Sequence, residues 1–322
     1  MNVSNQTPGN AAPGGHVSVL LDEAIDALRI TPGGTWLDGT FGGGGHARRI
    51  LEASAPDGIL IAVDADVAAI ERASALRQSL DDPGRLVPLH TNLRDLDSAL
   101  TAAGVGQLNG GLLDLGVSSF QLDTAERGFS FRHDAPLDMR FDQTRGPSAA
   151  DLLQALPEED IADVLYRYGD ERKSRRIAHA IVQARRPDTV WTTAMLATLV
   201  ERSIGRRPGQ GIHPATRTFQ AFRIAVNGDL EALEAALEVI TERLRPGGRL
   251  VVIAFHSLED RIVKQFIADA ARTCICPPEQ PVCTCDTTPR LRRMGKPVKP
   301  SEREIGTNAR SRSSIMRVAK RV

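Results

Sequence analysis

The segment from Asp38 to His46 constrains the fold of this chain more than any other. It reads Asp-Gly-Thr-Phe-Gly-Gly-Gly-Gly-His, and it lies between an apolar strand start at Trp36 and helix-forming sequence from Ala47. Glycine adds no side chain to a core and loses the most backbone entropy on folding. We therefore expect a sharp strand-to-helix turn, where the backbone lets a ligand approach a helix N-terminus closely.

The carboxylate of Asp38 indicates which ligand this turn would favour. Gly42, Gly44 and Ala47 satisfy the dinucleotide pattern G-x-G-x-x-G/A, but a run of glycines meets such patterns easily. A carboxylate at the end of the strand would repel a pyrophosphate and attract a cation. S-adenosylmethionine carries an ammonium and a sulfonium but no phosphate, so Asp38 favours that cofactor. A structural turn without a ligand is the alternative.

A second carboxylate, Asp64, ends the apolar run from Gly58 to Val63. It lies about 20 residues past the glycines, where an acid commonly binds ribose hydroxyls. Both a dinucleotide and S-adenosylmethionine contain ribose, so Asp64 indicates a nucleoside but does not discriminate between these two cofactors.

Strand and helix patterns alternate from residue 35 to about residue 115. The predicted strands are Trp36–Asp38, Ile59–Asp64, Leu86–His90 and Leu108–Leu115, and the predicted helices follow the glycines or lie near Val67–Leu80 and Leu96–Ala103. This alternation predicts an α/β fold, with a Rossmann-like, doubly wound, mostly parallel sheet. Ligands bind beyond the carboxyl ends of such strands, where Asp38, Asp64 and Asp114 converge.

Helical patterns then replace the alternation until about residue 212. Four helices are predicted in this part of the chain, at Ala149–Ala155, Glu158–Tyr168, Arg172–Arg185 and Thr193–Ser203. Sheet patterns resume afterwards, with a helix at Leu230–Leu244, a break at Arg245–Gly248, a buried strand at Arg249–Phe255, a helix near Glu259–Ala271 and an edge strand at Ser314–Ala319. We predict a disordered tail at residues 1–15, a sheet domain formed by residues 16–134 and 213–322, and an inserted all-helical domain at residues 135–212.

Composition excludes some classes of protein. No apolar stretch approaches the roughly 18 residues of a membrane span, and no signal peptide is visible, so we expect a cytoplasmic protein without a membrane partner. Aromatic residues make up 4% of the chain, so stacking of bases on an aromatic platform is not expected to be a main binding device.

The net charge is zero, but the basic residues are clustered. Residues 286–322 contain eleven Lys or Arg and three acids, and a second basic group spans Arg167 to Arg186 in the predicted insertion. Such clusters suit a phosphate backbone, although a solvated charged surface is the simpler alternative.

The polar loop from Asp114 to Asp123 is the predicted catalytic segment. An acid, hydroxyls and carbonyls in such a loop could hold an exocyclic amine, whose lone pair in cytosine is delocalised into the ring. Hydrogen bonds that favour the tetrahedral amine free this lone pair for in-line attack on a methyl group, which is a positioning effect. The alternative role for Asp114 is a helix N-cap or a turn.

Together these motifs resemble the MraW/RsmH family, the bacterial small-subunit ribosomal RNA (cytosine-N4)-methyltransferases. The resemblance extends from about residue 16 to residue 322 and rests on separated motifs, at His16–Leu21, Asp38–His46, Asp114–Phe131, Pro136–Arg140, His213–Gln220, Phe255–Arg261 and Asn308–Ser313. It implies a class I S-adenosylmethionine-dependent methyltransferase domain with a helical insertion that binds the RNA. The implied substrate is N4 of a decoding-centre cytidine in 16S rRNA, within the small ribosomal subunit. A monomer and a homodimer both remain open.

The resemblance also implies the residues of the site. Cofactor contacts fall on Gly44, Gly45, His46, Asp64, Leu93, Asp114 and Gln121, and Asp114 is also the expected catalytic residue. The family often has an aromatic residue at the position of Leu93, but leucine can still pack against adenine. His256 and Ser257 could contact the substrate, or His256 could cap the next helix. His90 is expected to be structural.

The chain's four cysteines form two pairs, Cys274-x-Cys276 and Cys283-x-Cys285. Disulfides are disfavoured in the cytoplasm, and four thiolates in a Pro-rich loop suit a tetrahedral structural Zn²⁺. The C-x-C spacing is less usual than C-x-x-C, so unliganded cysteines are the alternative.

Three other functions are alternatives to methylation of rRNA. Methylation of DNA or of a protein amide would use the same cofactor, and the basic clusters alone do not separate RNA from DNA. An NAD-dependent oxidoreductase is disfavoured by Asp38 and by the lack of an evident proton relay with a carbonyl-binding arginine. A non-catalytic ribosome-assembly factor would predict a damaged pocket, whereas the glycines and the three strand-end acids are intact.

Overall fold

The computed structural model describes residues 18–205, 213–277, 280, 282 and 284–322. Within these residues, seven strands form one sheet: Thr35–Asp38 (β1), Ile59–Asp64 (β2), Leu86–His90 (β3), Leu108–Asp114 (β4), Leu244–Ala254 (β5), Leu291–Arg293 (β6) and Ile315–Arg321 (β7). The spatial order is β3-β2-β1-β4-β5-β7-β6. Strands β1 to β5 pair in parallel, and β7 runs antiparallel to both of its neighbours.

Helices fill most of the connections between these strands. In the described part of the chain they are Leu21–Leu28 (α1), Gly45–Ala53 (α2), Val67–Gln78 (α3), Leu96–Ala102 (α4), Ser119–Asp123 (α5), Ala149–Ala155 (α6), Glu158–Gly169 (α7), Ser174–Ala184 (α8), Thr193–Ile204 (α9), Thr216–Asn227 (α10), Asp229–Arg243 (α11), Ser257–Ala270 (α12) and Glu302–Thr307 (α13). None of these described helices combines the length and the apolar character that crossing a bilayer requires.

Strand β2 shows why the sheet is covered on both faces. Successive side chains of a strand point to opposite faces. Leu60 and Ala62 belong to one apolar cluster, together with residues of α1, α2 and α3. Ile61 and Val63 belong to a second cluster, together with residues of α4, α11 and α12. A continuous apolar run therefore buries both faces, and the predicted α/β sheet with helices on either side is confirmed.

The prediction that the C-terminal strand lies at the edge of the sheet is wrong. Strand β6 pairs with β7 on the side away from β5, so β7 has a neighbour on each side. Two of the three residues of β6 are the exposed Arg292 and Arg293. Such a short, charged strand carries no apolar pattern, and for this reason the sequence did not reveal it.

Strand β5 also begins earlier than predicted. It starts at Leu244, which pairs with Leu108, and the register shifts before Gly110 pairs with Arg249. The predicted break at Arg245–Gly248 is therefore an irregularity within the strand, with Gly247 at φ +88°. Glycine accommodates this positive φ without the strain that a side chain would add.

The helices of the predicted insertion share their own apolar cluster. Helices α6 to α9 occupy the predicted segments, and Leu153, Leu165 and Ile181 are completely buried in the cluster. Phe219 and Phe222 of α10 belong to the same cluster, although they follow the predicted boundary at residue 212. The division into domains remains a prediction, and residues 1–15 and 206–212 lie outside the described residues.

Candidate active site

Three neighbouring parallel strands end in aspartates, as predicted. Strands β2, β1 and β4 lie side by side and end at Asp64, Asp38 and Asp114. A pocket opens at this edge of the sheet, lined by the glycine loop, Asp64, the segment after β3 and the loop after β4. The convergence of acids expected from the sequence is therefore present.

The glycine loop is closely packed where it enters α2. Gly44 has φ +79°, and a Cβ there would lie 2.6 Å from Cζ of Phe41. A Cβ on Gly45 would lie 2.0 Å from Oγ of Ser18. Gly44 provides no side-chain cap, and Gly44, Gly45 and His46 line the pocket. The first N–H groups of α2 have no acceptors within the helix, so its N-terminus offers donors to an anionic group.

Asp64 holds the glycine loop against β2. Its Oδ2 accepts the Gly42 N–H at 2.8 Å, and its Oδ1 accepts the Asp66 N–H at 2.9 Å. Burial raises the pKa of Asp64 to about 6, although both hydrogen bonds act in the opposite direction. The carboxylate also lines the pocket, and its predicted contact with ribose stays a prediction.

Asp38 is buried and does not line the pocket. It is 1% exposed, and its Oδ1 accepts the Thr40 N–H at 3.1 Å. Among the described residues its Oδ2 has no hydrogen-bond partner. Burial, with a further contribution from the charge of Asp64, raises the pKa of Asp38 to about 7, against the effect of the Thr40 hydrogen bond. Asp38 could therefore act on a cation in the pocket through its charge rather than by contact.

Asp114 and His46 face each other across the pocket wall. Nε2 of the buried His46 lies 3.2 Å from the carbonyl oxygen of Val19, so Nε2 is the donor because a carbonyl oxygen only accepts. Nδ1 lies 3.5 Å from Oδ2 of Asp114. Burial, followed by the charges of Asp38 and Glu259, raises the pKa of Asp114 well above its usual range. A protonated carboxyl group can direct its hydrogen to Nδ1.

The other carboxyl oxygen of Asp114, Oδ1, makes no comparable contact within the described residues. Oδ1 is buried and has no hydrogen-bond partner in the described part of the chain. Asp114 lines the pocket, and its backbone N–H donates to Oγ1 of Thr40 at 2.6 Å. A buried polar atom without a partner is costly unless a ligand or water completes it. Oδ1 is therefore placed to accept a hydrogen from a ligand.

The side chain of Gln121 is engaged within the protein. Its Oε1 accepts the Ser118 N–H at 2.9 Å, and its Nε2 donates to Oδ2 of Asp66 at 2.9 Å. Gln121 thereby caps α5 and ties it to the start of α3. It lines the pocket, but its predicted cofactor contact remains a prediction. Leu93 also lines the pocket as a half-buried apolar residue after β3.

The structure brings a buried charged cluster to the pocket that the sequence did not indicate. Arg223 of α10 approaches Oε1 of Glu259 to 3.4 Å through Nη2. Its Nε lies 3.0 Å from Oδ2 of Asp229, although the angle there does not allow a hydrogen bond. Asp229 and Glu259 both line the pocket. Arg223 and Asp229 lie on the consecutive helices α10 and α11, whereas Glu259 lies on α12, 36 residues after Arg223, so no local pattern identified the whole cluster.

His256 caps α12, which is one of the two roles that the sequence leaves open for this residue. Its Nδ1 accepts the Glu259 N–H at 3.4 Å, and Glu259 Oε2 accepts the backbone N–H of His256 at 3.3 Å. Burial acts to raise the pKa of Glu259, but the hydrogen bond from His256 and the charges of His256 and Arg223 outweigh burial and lower this pKa. Ser257 is the first residue of α12.

His90, expected to be structural, lies outside this cluster. Its Nε2 is 3.0 Å from the carbonyl oxygen of Ala65.

The C-terminal segment and two aromatic rings complete the pocket. Asn308 and Arg310 line it, and Arg310 pairs with Asp123 at 2.7 Å. These two belong to the motif Asn308–Ser313, for which the sequence suggested no role. Phe141 and Phe255 also line the pocket.

The residues of the pocket fit S-adenosylmethionine. The start of α2 offers N–H donors for a carboxylate, and Asp64 is a carboxylate that faces the pocket. Leu93 and Leu233 offer apolar contact for a base. The unpartnered oxygens of Asp38 and Asp114 make this end of the sheet favourable for a positively charged ligand. A pyrophosphate would instead meet the carboxyl groups of Asp64 and Asp114.

The fold and this site define the protein's class: it is a class I, Rossmann-like methyltransferase that uses S-adenosylmethionine. Residues 14–322 match the family model described as the MraW methylase family. Three relatives, each named Ribosomal RNA small subunit methyltransferase H, are similar over most of the chain. They come from Thermomicrobium roseum (52% identity, covering 95% of this chain and 94% of the relative), Chromohalobacter salexigens (51%, 95% and 92%) and Syntrophotalea carbinolica (48%, 95% and 98%). The chain belongs to the MraW methylase family, and the resemblance inferred from its motifs is confirmed.

Proposed function

We propose that this protein methylates N4 of a decoding-centre cytidine in 16S rRNA, within the small ribosomal subunit. One observation supports an amine as the methyl acceptor. The carboxyl group of Asp114 lines the pocket, and its buried Oδ1 has no hydrogen-bond partner among the described residues. The name of the relatives, Ribosomal RNA small subunit methyltransferase H, supports the choice of RNA.

Asp114 would hold the exocyclic amine of the base. S-adenosylmethionine supplies a methyl group on a positively charged sulfur, with a neutral thioether as the leaving group. Oδ1 of Asp114 accepts an N4–H hydrogen, which favours the tetrahedral amine and frees its lone pair for in-line attack. The carbonyls and hydroxyls of the following loop, including Ser118 and Ser119, lie at the same pocket and could accept the second N4–H.

Asp114 and His46 could together accept the proton that N4 releases. The amine becomes acidic as the new N–C bond forms, and its proton passes to Oδ1 of Asp114. In the same step, the hydrogen on Oδ2 passes to Nδ1 of His46, 3.5 Å away, so Asp114 never carries two protons. Nδ1 is the acceptor because Nε2 already donates to Val19. This transfer leaves the carboxyl group neutral and places one positive charge on the imidazole ring. General acid–base assistance of this kind typically contributes about 100- to 10,000-fold in rate.

Two phenylalanines could position the base. Phe255 packs against Gly116 of the catalytic loop, where a Cβ would lie 3.4 Å from Cδ2 of the ring. Phe141 lines the same pocket. Unstacked RNA bases commonly stack on such rings, so a flipped-out cytosine could lie against one or both.

Basic side chains outside the pocket could bind the RNA backbone. Arg172, Arg175 and Arg176 are exposed at the start of α8, in the predicted helical insertion. Arg292 and Arg293 are exposed on β6. Arginine binds phosphate with several donors, and such contacts position an RNA without reading its sequence. We propose that the insertion and the C-terminal segment bind rRNA through these exposed arginines.

Transfer of a labelled methyl group tests the choice of substrate. Small ribosomal subunits from a strain that lacks this protein should accept about one methyl group per subunit from this enzyme. Large subunits, double-stranded DNA and small subunits from the parent strain serve as controls and should accept almost none. Equal labelling of DNA, or of a protein in the subunit, would overturn the proposal.

A further inference from the structure

Three cysteine sulfurs lie together in the segment between α12 and β6. The ends of this segment meet, because the Arg290 N–H donates to the carbonyl oxygen of Ala270 at 2.8 Å. The Sγ atoms of Cys274, Cys276 and Cys285 all lie within 4.8 Å of one another. None of these residues lines the pocket of the candidate active site. The cluster therefore needs an explanation other than methyl transfer.

The spacing of the sulfurs fits ligands of one metal ion. Sγ of Cys274 and Sγ of Cys285 are 3.7 Å apart. A disulfide bond requires about 2.05 Å between the sulfurs. Two thiolates bound to one tetrahedral Zn²⁺, with Zn–S bonds of about 2.3 Å, are separated by roughly 3.8 Å. The observed distance therefore corresponds to a shared metal and not to a covalent bond.

Each of the three sulfurs also accepts a backbone hydrogen. Sγ of Cys285 accepts the Ile275 N–H at 3.2 Å, and Sγ of Cys274 accepts the Cys276 N–H at 3.4 Å. Sγ of Cys276 accepts the Thr284 N–H at 3.5 Å. Hydrogen bonds to the charged form of a group stabilise that form, here the thiolate that binds metal. The backbone of the segment is thus folded around the three sulfurs.

We propose that Cys274, Cys276 and Cys285 bind a structural Zn²⁺. Thiolates are soft ligands that favour zinc over hard cations such as Mg²⁺ or Ca²⁺. Cys283, the remaining cysteine of the two C-x-C pairs, lies outside the described residues, and the other three carry the proposal.

The described residues of this segment add little to the apolar core. Ile275 and Val282 are 64% and 67% exposed, so its largest apolar side chains are not buried in a core. It leads directly into β6, which carries Arg292 and Arg293. A metal ion would fix the conformation of this connection, as structural zinc does in small domains that lack a sufficient apolar core.

Metal analysis of the full-length protein tests the proposal. Untagged protein is made in zinc-supplemented medium and purified without chelators, and its zinc is measured by mass spectrometry. We expect about one zinc per chain in the wild type and at least a fivefold loss in Cys274→Ser/Cys285→Ser. Ile275→Ala changes an exposed side chain between two ligands and should retain the zinc of the wild type.

A second measurement uses only the wild-type protein, so it remains informative even if the cysteine variant folds poorly. Wild-type protein is stripped with a chelator and titrated with Co²⁺ alone, whose thiolate-to-metal charge-transfer absorption reports sulfur ligands. The proposal expects this absorption to saturate at about one Co²⁺ per chain and to disappear when Zn²⁺ is added. Less than about a tenth of a zinc per chain together with no charge-transfer band, or a disulfide found by mass analysis, would overturn it.

Discussion

Nδ1 of His46 lies 3.5 Å from Oδ2 of Asp114, so the first turn of α2 contacts the carboxyl group that ends β4. His46 follows the glycine run, and its backbone belongs to the helix start that faces the pocket. One residue thus combines a backbone position suited to the cofactor with a side chain that contacts the proposed catalytic acid. The two roles can be separated by substitution.

Replacing Asp114 with alanine should abolish most of the activity. The change removes both the acceptor for N4–H and the first proton acceptor, so we expect turnover to fall by about 100-fold or more. Labelled methyl transfer to small subunits measures this rate. Asp188→Ala, at an exposed position outside the pocket, is the matched control and should behave as the wild type. If Asp114→Ala retained most of its activity, the acceptor would have to be held elsewhere.

Replacing His46 with glutamine should affect turnover more than cofactor binding. The backbone N–H at residue 46 is kept, so the affinity for S-adenosylhomocysteine, measured by calorimetry, should change less than about threefold. The proton acceptor behind Asp114 is lost, so kcat should fall by roughly 10- to 100-fold and its dependence on pH should change. A variant with an unaltered kcat would remove His46 from the proton transfer.

The buried Asp38 makes stability depend on pH. Its pKa is raised from 3.8 to about 7 in the folded protein, so the folded state holds the proton more tightly than the unfolded state. The resulting stabilisation is complete below pH 3.8 and is lost as the pH rises through about 7. The free energy of unfolding should therefore decrease over this interval, by up to about 1.4 kcal/mol per pH unit for this group.

The variant Asp38→Asn measures how much Asp38 contributes to the pH dependence of the free energy of unfolding. Asp64 and Asp229, whose pKa values are raised to about 6, still titrate in the variant. The loss of slope should therefore be clearest between pH 6 and pH 7, and the variant should exceed the wild type in stability at pH 8. Urea denaturation at a series of pH values measures both effects. Identical slopes in the two proteins would show that Asp38 titrates normally.

Much of the fold could be predicted from sequence because its signals are local. The bounds of β2 and β3 were predicted to the residue, since a continuous apolar run ends at Asp64 and at His90. Strand β6 was missed because two of its three residues are arginines. Helix α10 has an amphipathic pattern, with Phe219 and Phe222 packed into the helical cluster, but it was not predicted.

Some residues of the candidate site could likewise be predicted from the sequence, and others could not. Acids at strand ends follow from the parallel topology, so Asp64 and Asp114 could be placed in advance. The contact between His46 and Asp114, and the cluster of Arg223 with Glu259, join residues that are distant in sequence. Only the packing of the helices on the sheet brings them together. The sequence contains these residues but no signal that they meet.

Arg223 should be important for stability. Replacing it with methionine removes the arginine charge beside the partly buried Asp229 and the buried Glu259, and removing one partner of a buried pair typically costs about 3–5 kcal/mol. Chemical denaturation followed by circular dichroism measures the loss. Arg217→Met, on the same helix but exposed, should cost less than about 1 kcal/mol. Equal effects of the two substitutions would mean that the cluster has no special role.

Reversing the charge of Arg292 and Arg293 should weaken RNA binding. If each arginine neutralises one phosphate, Arg292→Glu/Arg293→Glu should reduce the slope of log Kd against log salt by about 2. Filter binding to small subunits at several salt concentrations measures the slope. Arg49→Glu/Arg77→Glu changes the net charge equally at positions on α2 and α3 and should keep the slope of the wild type. The same loss in both variants would indicate a general effect of charge.

The identity of the methylated nucleoside tests the proposed function most directly. Small subunits from a strain that lacks this protein are methylated in vitro, their RNA is digested to nucleosides, and the products are resolved by chromatography and mass analysis. The proposal predicts N4-methylcytidine from 16S rRNA, formed by the wild type and absent with Asp114→Ala. Methyl groups on carbon 5 of cytidine, on another base or on ribose would contradict it.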